Sequence, residues 1–134
     1  MMLRAALISV LVSLATGAMA QVVDGIDGAT TEEARTRIGT GARLKALDKF
    51  NGQVSEFDMR AGGSAQIGRL VITLRECRYP DGDQDGDAYA FLVITEPSKS
   101  SEPLFSGWMV ASSPALNALD HFRYDVWVMR CKTD

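Results

Sequence analysis

Short runs of alternating or continuous apolar residues recur along this chain, and this pattern predicts β-strands. Leu70, Ile72 and Leu74 occupy every second position of the run RLVITLRECR, so they share one face of a strand over 69–78. The run AYAFLVIT over 88–95 is apolar on both faces and predicts the most buried strand.

The last two strands are predicted over 104–111 and 123–131. Alternation in the second of these runs places Trp127, Met129 and Cys131 on one face.

Asn51-Gly52 separates two further strands and is a strong signal for a two-residue hairpin turn, because both turn positions need a positive φ. The flanking strands are predicted over 43–50 and 53–59. In the register that such a turn imposes, Leu44 lies opposite Met59 on an apolar face.

Short strands at regular spacing predict an all-β fold, a small antiparallel sandwich or barrel occupying residues 42–134. One short helix is predicted before the last strand. Ser113 can cap this helix, and Pro114 suits its first position.

The N-terminal residues have the character of a secretory signal peptide over 1–20. Arg4 precedes an apolar run over 5–17, and Ala18-Met19-Ala20 fits the small-x-small cleavage pattern. We therefore expect export to the periplasm, cleavage after Ala20 and an extended tail over 21–41. A retained N-terminal anchor is the alternative, although the apolar run is short for a bilayer.

Composition narrows the classes of function. The chain has 134 residues, with 17 acidic and 14 basic side chains and a formal net charge of −3. A mildly acidic chain without a basic cluster does not suit nucleic-acid binding. After signal cleavage no second apolar run is long enough to span a membrane. We expect no cofactor.

Cys77 and Cys131 are the two cysteines of the chain. An even number of cysteines in an exported protein predicts a disulfide. Metal-binding or redox-active thiols are the competing interpretation, weakened by the wide separation of the two residues and by the presence of one histidine.

The acidic loop resembles the start of a calcium-binding loop, since its carboxylates alternate along the sequence. The position that should supply a bidentate glutamate is Leu92, so an EF-hand is excluded. A weak calcium site and a solvated hairpin loop remain the two alternatives. The candidate ligands of that site are Asp81, Asp83, Asp85 and Asp87.

Three aromatic residues are candidates for binding a partner or a glycan if exposed, namely Trp108, Tyr124 and Trp127. Aromatic residues in strands are more often part of the core.

A hydrolase would need a nucleophile, a base and an orienting group within mutual reach. The residue types occur here without a nucleophile-elbow motif, so we expect no catalytic site and no enzyme activity. The set considered is Ser112, Ser113, Asp120, His121 and Asp125.

Several stretches carry a family resemblance: GTGARLKALDK over 39–49, residues 77–92, and FSGWMVASSPALNALDHFRYDVWVMRC over 105–131. From about Gly39 to its C-terminus the chain resembles an alphaproteobacterial family catalogued as domain of unknown function 2155. The resemblance implies an exported protein without a known reaction. It also implies association with the respiratory NADH:quinone oxidoreductase, complex I.

The leading functional hypothesis is a non-catalytic periplasmic accessory protein that binds a protein partner. The family resemblance makes that partner the periplasmic side of membrane-bound complex I. The alternative is a periplasmic ligand-binding module, for Ca²⁺ through the acidic loop or for glycan through the aromatic residues.

Overall fold

The computed structural model describes residues 35–134, and all regular secondary structure in this part of the chain is β-strand. The predicted signal peptide and most of the predicted tail lie outside the described residues. The eight strands are β1 (Thr36–Ile38), β2 (Gly41–Asp48), β3 (Gln53–Arg60), β4 (Ser64–Ile67), β5 (Leu70–Pro80), β6 (Tyr89–Thr95), β7 (Phe105–Val110) and β8 (Tyr124–Lys132).

The strands form two antiparallel sheets, which confirms the predicted all-β class. One sheet has the order β3-β2-β8, and the other has the order β1-β5-β6-β7. The short strands β1 and β4 both pair with β5, β1 with its C-terminal part and β4 with its N-terminal part. No helix suited to crossing a membrane occurs in the described part of the chain.

The core lies between the inward faces of the two sheets. Leu70, Ile72 and Leu74 are fully buried on one face of β5, which confirms their predicted alternation. Leu92 and Ile94 of β6 lie opposite them in register. Burying side chains of this size contributes roughly 1.5–3 kcal/mol each, so this row is a major part of the core.

The β2–β3 hairpin has a longer turn than predicted. Asp48 pairs with Gln53, so four residues form the turn and Leu44 lies opposite Phe57 rather than Met59. Asp48 accepts at its carbonyl from the amide of Gly52, which has φ 73°. The register moves by an even number of residues, so the apolar face stays buried as predicted.

The predicted face of the last strand is wrong because β8 contains a bulge. Arg130 pairs with Arg43, but Val128 pairs with Leu44, so Met129 is an extra residue. Trp127 and Met129 therefore point away from the core, and Cys131 turns into it. An extra residue in one strand reverses the faces beyond it, which period-two alternation cannot anticipate.

The predicted short helix is absent. The segment before β8 makes turns, with one backbone hydrogen bond from Leu116 to Ser113, so Ser113 caps no helix. Leu116 is exposed and Leu119 is buried, so the two leucines do not share a face. Nucleating so short a helix is unfavourable. The segment instead runs beside the edge strand β7, where the Asn117 side chain donates a hydrogen bond to the Trp108 carbonyl.

The folded sheets begin before the predicted boundary at residue 42. Thr36–Ile38 forms β1, and the amide of Gly39 donates to the carbonyl of Cys77. The last residues assigned to the tail are therefore part of the β-structure. Strand β4 was also not predicted, because its alternation of polar and apolar residues (SAQI) extends over only four positions.

Cys77 of β5 and Cys131 of β8 form a disulfide that joins the two sheets. Both cysteines are fully buried. Each lies just beyond a bulge, since β5 also carries an extra residue, Arg75, between the pairs Leu74–Leu92 and Glu76–Phe91. The disulfide therefore joins the two sheets just beyond the bulges, where the core-facing positions of β5 and β8 switch from even to odd residue numbers.

Removing this bridge should destabilise the protein strongly. Its cysteines are 54 residues apart, for which the loop-entropy model gives about 4 kcal/mol. We expect the double variant Cys77→Ala with Cys131→Ala to lose a large part of that amount in chemical denaturation. Mass spectrometry without reductant should find the two peptides linked in the unmodified protein. Two alkylatable thiols there, or an unchanged midpoint in the variant, would contradict the prediction.

Candidate functional site

The outward face of the five-stranded sheet carries aromatic side chains. Strand β6 is apolar on both faces, so Tyr89 and Phe91 remain on the outer face when the other face packs into the core. Phe91 pairs across the strands with Trp108 of β7, and their rings meet edge to face at 5.4 Å. Trp108 is 37% exposed, which makes it the most prominent aromatic group on this face.

A basic side chain completes this aromatic face. The guanidinium of Arg78 lies 5.9 Å from the centroid of the Trp108 ring and forms an ion pair with Glu76 at 3.0 Å. Arg78, Trp108, Tyr89 and Thr36 line a shallow cavity of about 310 Å³. Flat apolar groups, such as a partner's side chain or a sugar ring, suit such a surface.

The three predicted aromatic candidates do not form one platform. Tyr124 is 2% exposed and belongs to the core. Trp127 lies on the outer face of the other sheet, paired with Lys45. Trp108 alone of the three lies on the aromatic face.

A second cluster, which the sequence did not reveal, surrounds a buried carboxylate. Glu96 follows β6 directly, and its side chain is 1% exposed. Its Oε2 lies 3.0 Å from His121 Nε2, and its Oε1 lies 3.2 Å from Arg69 Nε. A glutamate at the end of the most apolar strand is the only sequence signal, and the partner histidine lies 25 residues away.

The tautomer of His121 follows from its hydrogen bonds. The backbone amides of Arg123 and Tyr124 both donate to Nδ1, at 3.0 and 3.1 Å. Nδ1 is therefore an acceptor, and Nε2 carries the proton that is donated to Glu96. Both nitrogens are engaged within the fold, so neither is available as a general base.

The charge of Glu96 is stabilised by its neighbours. The hydrogen bond from His121 lowers the pKa of Glu96, and the positive charges of Lys99 and Arg69 lower it further. Burial opposes these effects but does not outweigh them. Glu96 is therefore ionised under neutral conditions, and its buried charge is compensated from three sides.

The remaining hydrolase candidates are not brought together. Ser112 donates its hydroxyl to Asp87 Oδ2 at 2.5 Å, rather than contacting His121. Ser113 lies in a turn, and Asp125 lies 3.8 Å from Lys49. The required chain of nucleophile, base and orienting group is not assembled by these residues.

The carboxylates of the acidic loop are engaged separately. Asp81 forms an ion pair with Arg37 of β1. Burial raises the pKa of Asp87, but hydrogen bonds from the Ser112 side chain and amide and from the Ala88 amide outweigh it, so this pKa is lowered. Asp83 and Asp85 are exposed. Among residues 35–134 no group of three histidine, cysteine or acidic side chains is arranged to hold a metal ion.

The Glu96–His121 pair predicts a specific acid sensitivity. Because the pKa of Glu96 is lowered below its ordinary value of 4.5, its contribution to stability is complete above that pH. It is then lost as the pH falls through the folded-state pKa. We expect Glu96→Gln to flatten this acid limb of the free energy of unfolding, and the exposed control Glu102→Gln to leave it unchanged. An identical acid limb in both variants would refute the assignment.

The acidic loop should bind Ca²⁺ no more tightly than about millimolar, the range of weak extracellular modules. Asp81 and Asp87 have other partners, and Leu92 cannot supply a ligand. Titration calorimetry with CaCl₂ checks this, with Asp83→Ala plus Asp85→Ala as the matched variant. A micromolar constant that this variant abolishes would contradict the prediction.

Comparison with known proteins agrees with the sequence resemblance. No solved structure matches the chain significantly. An uncharacterized protein, RP359 of Rickettsia prowazekii (strain Madrid E), is 31% identical over 94 residues, which cover 69% of this chain and 61% of that protein. The chain thus matches less than two thirds of the length of this curated relative.

The family described as "Uncharacterized protein conserved in bacteria (DUF2155)" matches residues 42–131. This range runs from the second residue of β2 to Cys131 of β8 and includes both cysteines of the bridge. It also includes the buried Glu96–His121 pair and Trp108. The chain belongs to the DUF2155 family of uncharacterized bacterial proteins.

Proposed function

We propose that this chain is a non-catalytic interaction protein that docks on a protein partner through the aromatic face of its five-stranded sheet. The observation that carries the proposal is the exposure of Trp108 beside Arg78 and Tyr89 on an outward sheet face. Tryptophan, tyrosine and arginine are the residue types most often found at the energetic centres of protein interfaces.

The geometry around Trp108 favours binding because it is already fixed. Phe91 packs edge to face against the Trp108 ring. The Asn117 side chain donates to the main-chain carbonyl of Trp108 at 3.0 Å, which holds the backbone of β7 at this residue. A side chain that is ordered before binding loses less conformational entropy when a partner covers it. A preorganised aromatic anchor therefore supports docking without a large rearrangement of the sheet.

The environment of His121 supports the non-catalytic part of the proposal. His121 Nδ1 accepts two backbone hydrogen bonds, and Nε2 donates to buried Glu96. A general base needs a free nitrogen within reach of a substrate proton. A structural role accounts for this histidine without a substrate.

The family resemblance supplies the proposed partner. We place the chain in the periplasm after cleavage of the signal peptide, as an accessory subunit on the periplasmic side of complex I. A face centred on one tryptophan suits attachment to an assembled complex, since a few anchors carry most of the binding energy of an interface.

A glycan-binding module is the second candidate, and the shallow cavity beside Trp108 is the observation that favours it. Sugar rings stack on exposed aromatic side chains, so the same residues would serve either ligand. The two functions differ in what the protein retains after purification from membranes.

The test compares Trp108→Ala with Trp127→Ala, a matched loss of tryptophan from the outer face of the opposite sheet. Affinity-tagged full chain is isolated from detergent-solubilised membranes, and complex I subunits are quantified by mass spectrometry. We expect Trp108→Ala to reduce co-purification by about tenfold or more, and Trp127→Ala to leave it unchanged. Equal recovery with both variants would refute docking through this face. Binding of Trp108-containing protein to purified glycans, without any recovered complex, would favour the alternative.

A further inference from the structure

Two phenylalanines project from the end of the sandwich where Glu96 is buried. Phe50 lies in the turn between β2 and β3 and is 66% exposed, and Phe122 precedes β8 and is 58% exposed. Their ring centroids are 5.7 Å apart. Phe122 also stacks on the buried ring of His121, with 4.8 Å between the centroids. More than half of each phenylalanine remains exposed, and neighbouring exposed apolar side chains are typical of binding surfaces.

Cationic side chains surround both rings. Lys99 Nζ lies 4.6 Å from the centroid of Phe122, and Arg123 Cζ lies 4.9 Å from that of Phe50. Arg69 lies 6.0 Å from the Phe122 ring. Lys49 donates to the carbonyl of His121, next to the same ring, at 2.7 Å. We call these two rings and four cations the Phe50–Phe122 tip.

Lys99 and Arg69 share one carboxylate, that of Glu96, which is far less exposed than either cation. The side chains of Glu96 and Asp48 are 1% and 16% exposed, whereas those of Lys99 and Arg69 are 51% and 44% exposed. Lys49 and its neighbour Asp125 are about equally exposed, at 37% and 34%, and Asp120 is a further exposed carboxylate close to Phe122 in sequence. The exposed charges that lie against the Phe122 ring, those of Lys99 and Arg69, are therefore positive, although the whole chain has a net charge of −3.

We propose that the Phe50–Phe122 tip docks on the surface of a bilayer that carries anionic phospholipids. Such a surface offers apolar chains and negative phosphates within a few ångströms of each other, which matches rings flanked by cations. Lys99 and Arg69, the more exposed cations, reach phosphates while the rings enter the boundary below the headgroups. An acidic protein segment without apolar side chains would complement the cations but would leave the projecting rings without an apolar partner.

The first test measures co-sedimentation of the full chain with protein-free vesicles. The vesicles contain either phosphatidylcholine alone or phosphatidylcholine mixed with one third phosphatidylglycerol. We expect binding to the anionic vesicles, weakened at least about tenfold in Phe50→Ala with Phe122→Ala. Ile38→Ala removes a side chain that is 65% exposed toward the other end of β5, and it should bind like the unmodified protein. Circular dichroism verifies that each variant is folded.

The charge requirement is tested separately. Lys99→Glu should weaken binding to the anionic vesicles by about fivefold or more, and Asp120→Asn, which removes an exposed carboxylate two residues from Phe122, should strengthen it. Binding should also fall as salt is raised, because screening shortens the range of these attractions. Equal affinity for both vesicle types would overturn the proposal.

A third measurement reports on the tip even if residues outside the β-domain also bind lipid. Phe122→Trp should show fluorescence quenching by brominated phospholipid beyond that of the unmodified protein, and Ile38→Trp should not. Quenching equal in both variants would overturn the proposal. Loss of binding to cell membranes by the double phenylalanine variant, with protein-free vesicles bound as before, would assign the tip to a protein partner instead.

Discussion

The disulfide between Cys77 and Cys131 depends on a bulge in each of the two strands that carry it, because each bulge reverses which residues face the core. Leu70, Ile72 and Leu74 face the core at even positions of β5, and Tyr124, Val126 and Val128 do so in β8. Both cysteines are at odd positions, so regular alternation would turn them outward on opposite sheets. One extra residue in each strand, Arg75 and Met129, brings both sulfurs into the interior. The two bulges are therefore a condition for joining the sheets covalently.

The bulge in β5 also builds the aromatic face. Beyond Arg75 the outward positions are Glu76 and Arg78, which would otherwise point into the core. Arg78 consequently lies over Trp108, and Glu76 is placed to pair with it. The same irregularity that buries Cys77 thus supplies the charged part of the surface proposed for docking.

The alternation of apolar and polar residues predicted which side chains face the core wherever a strand is regular. It failed beyond the bulges, where an extra residue reverses the two faces of the strand. The face of β5 from Leu70 to Leu74 and the two-sided apolar character of β6 follow from residue types alone. Bulges have no composition signal here, so the inward turn of Cys131 could not be predicted. Trp108 could be named from its residue type, but its exposure could not. The Glu96–His121 pair could not be predicted because each residue has an ordinary explanation in its own segment, and contact arises only when β6 and the segment before β8 meet.

The Phe50–Phe122 tip, at the other end of β5, contains some residues that the fold requires and some whose exposure the fold does not require. Burying Glu96 needs compensation, so His121, Arg69 and Lys99 have a structural reason to be where they are. Arg123 likewise pairs with Asp48 through two hydrogen bonds. The rings of Phe50 and Phe122 have a partial structural role, because Phe122 stacks on His121 at 4.8 Å and the cations Lys99 and Arg123 lie over the two rings. More than half of each residue nevertheless remains in water. The exposed portions of these two rings are therefore the part of this surface that the fold leaves without a packing partner, and they are the stronger evidence that it binds something.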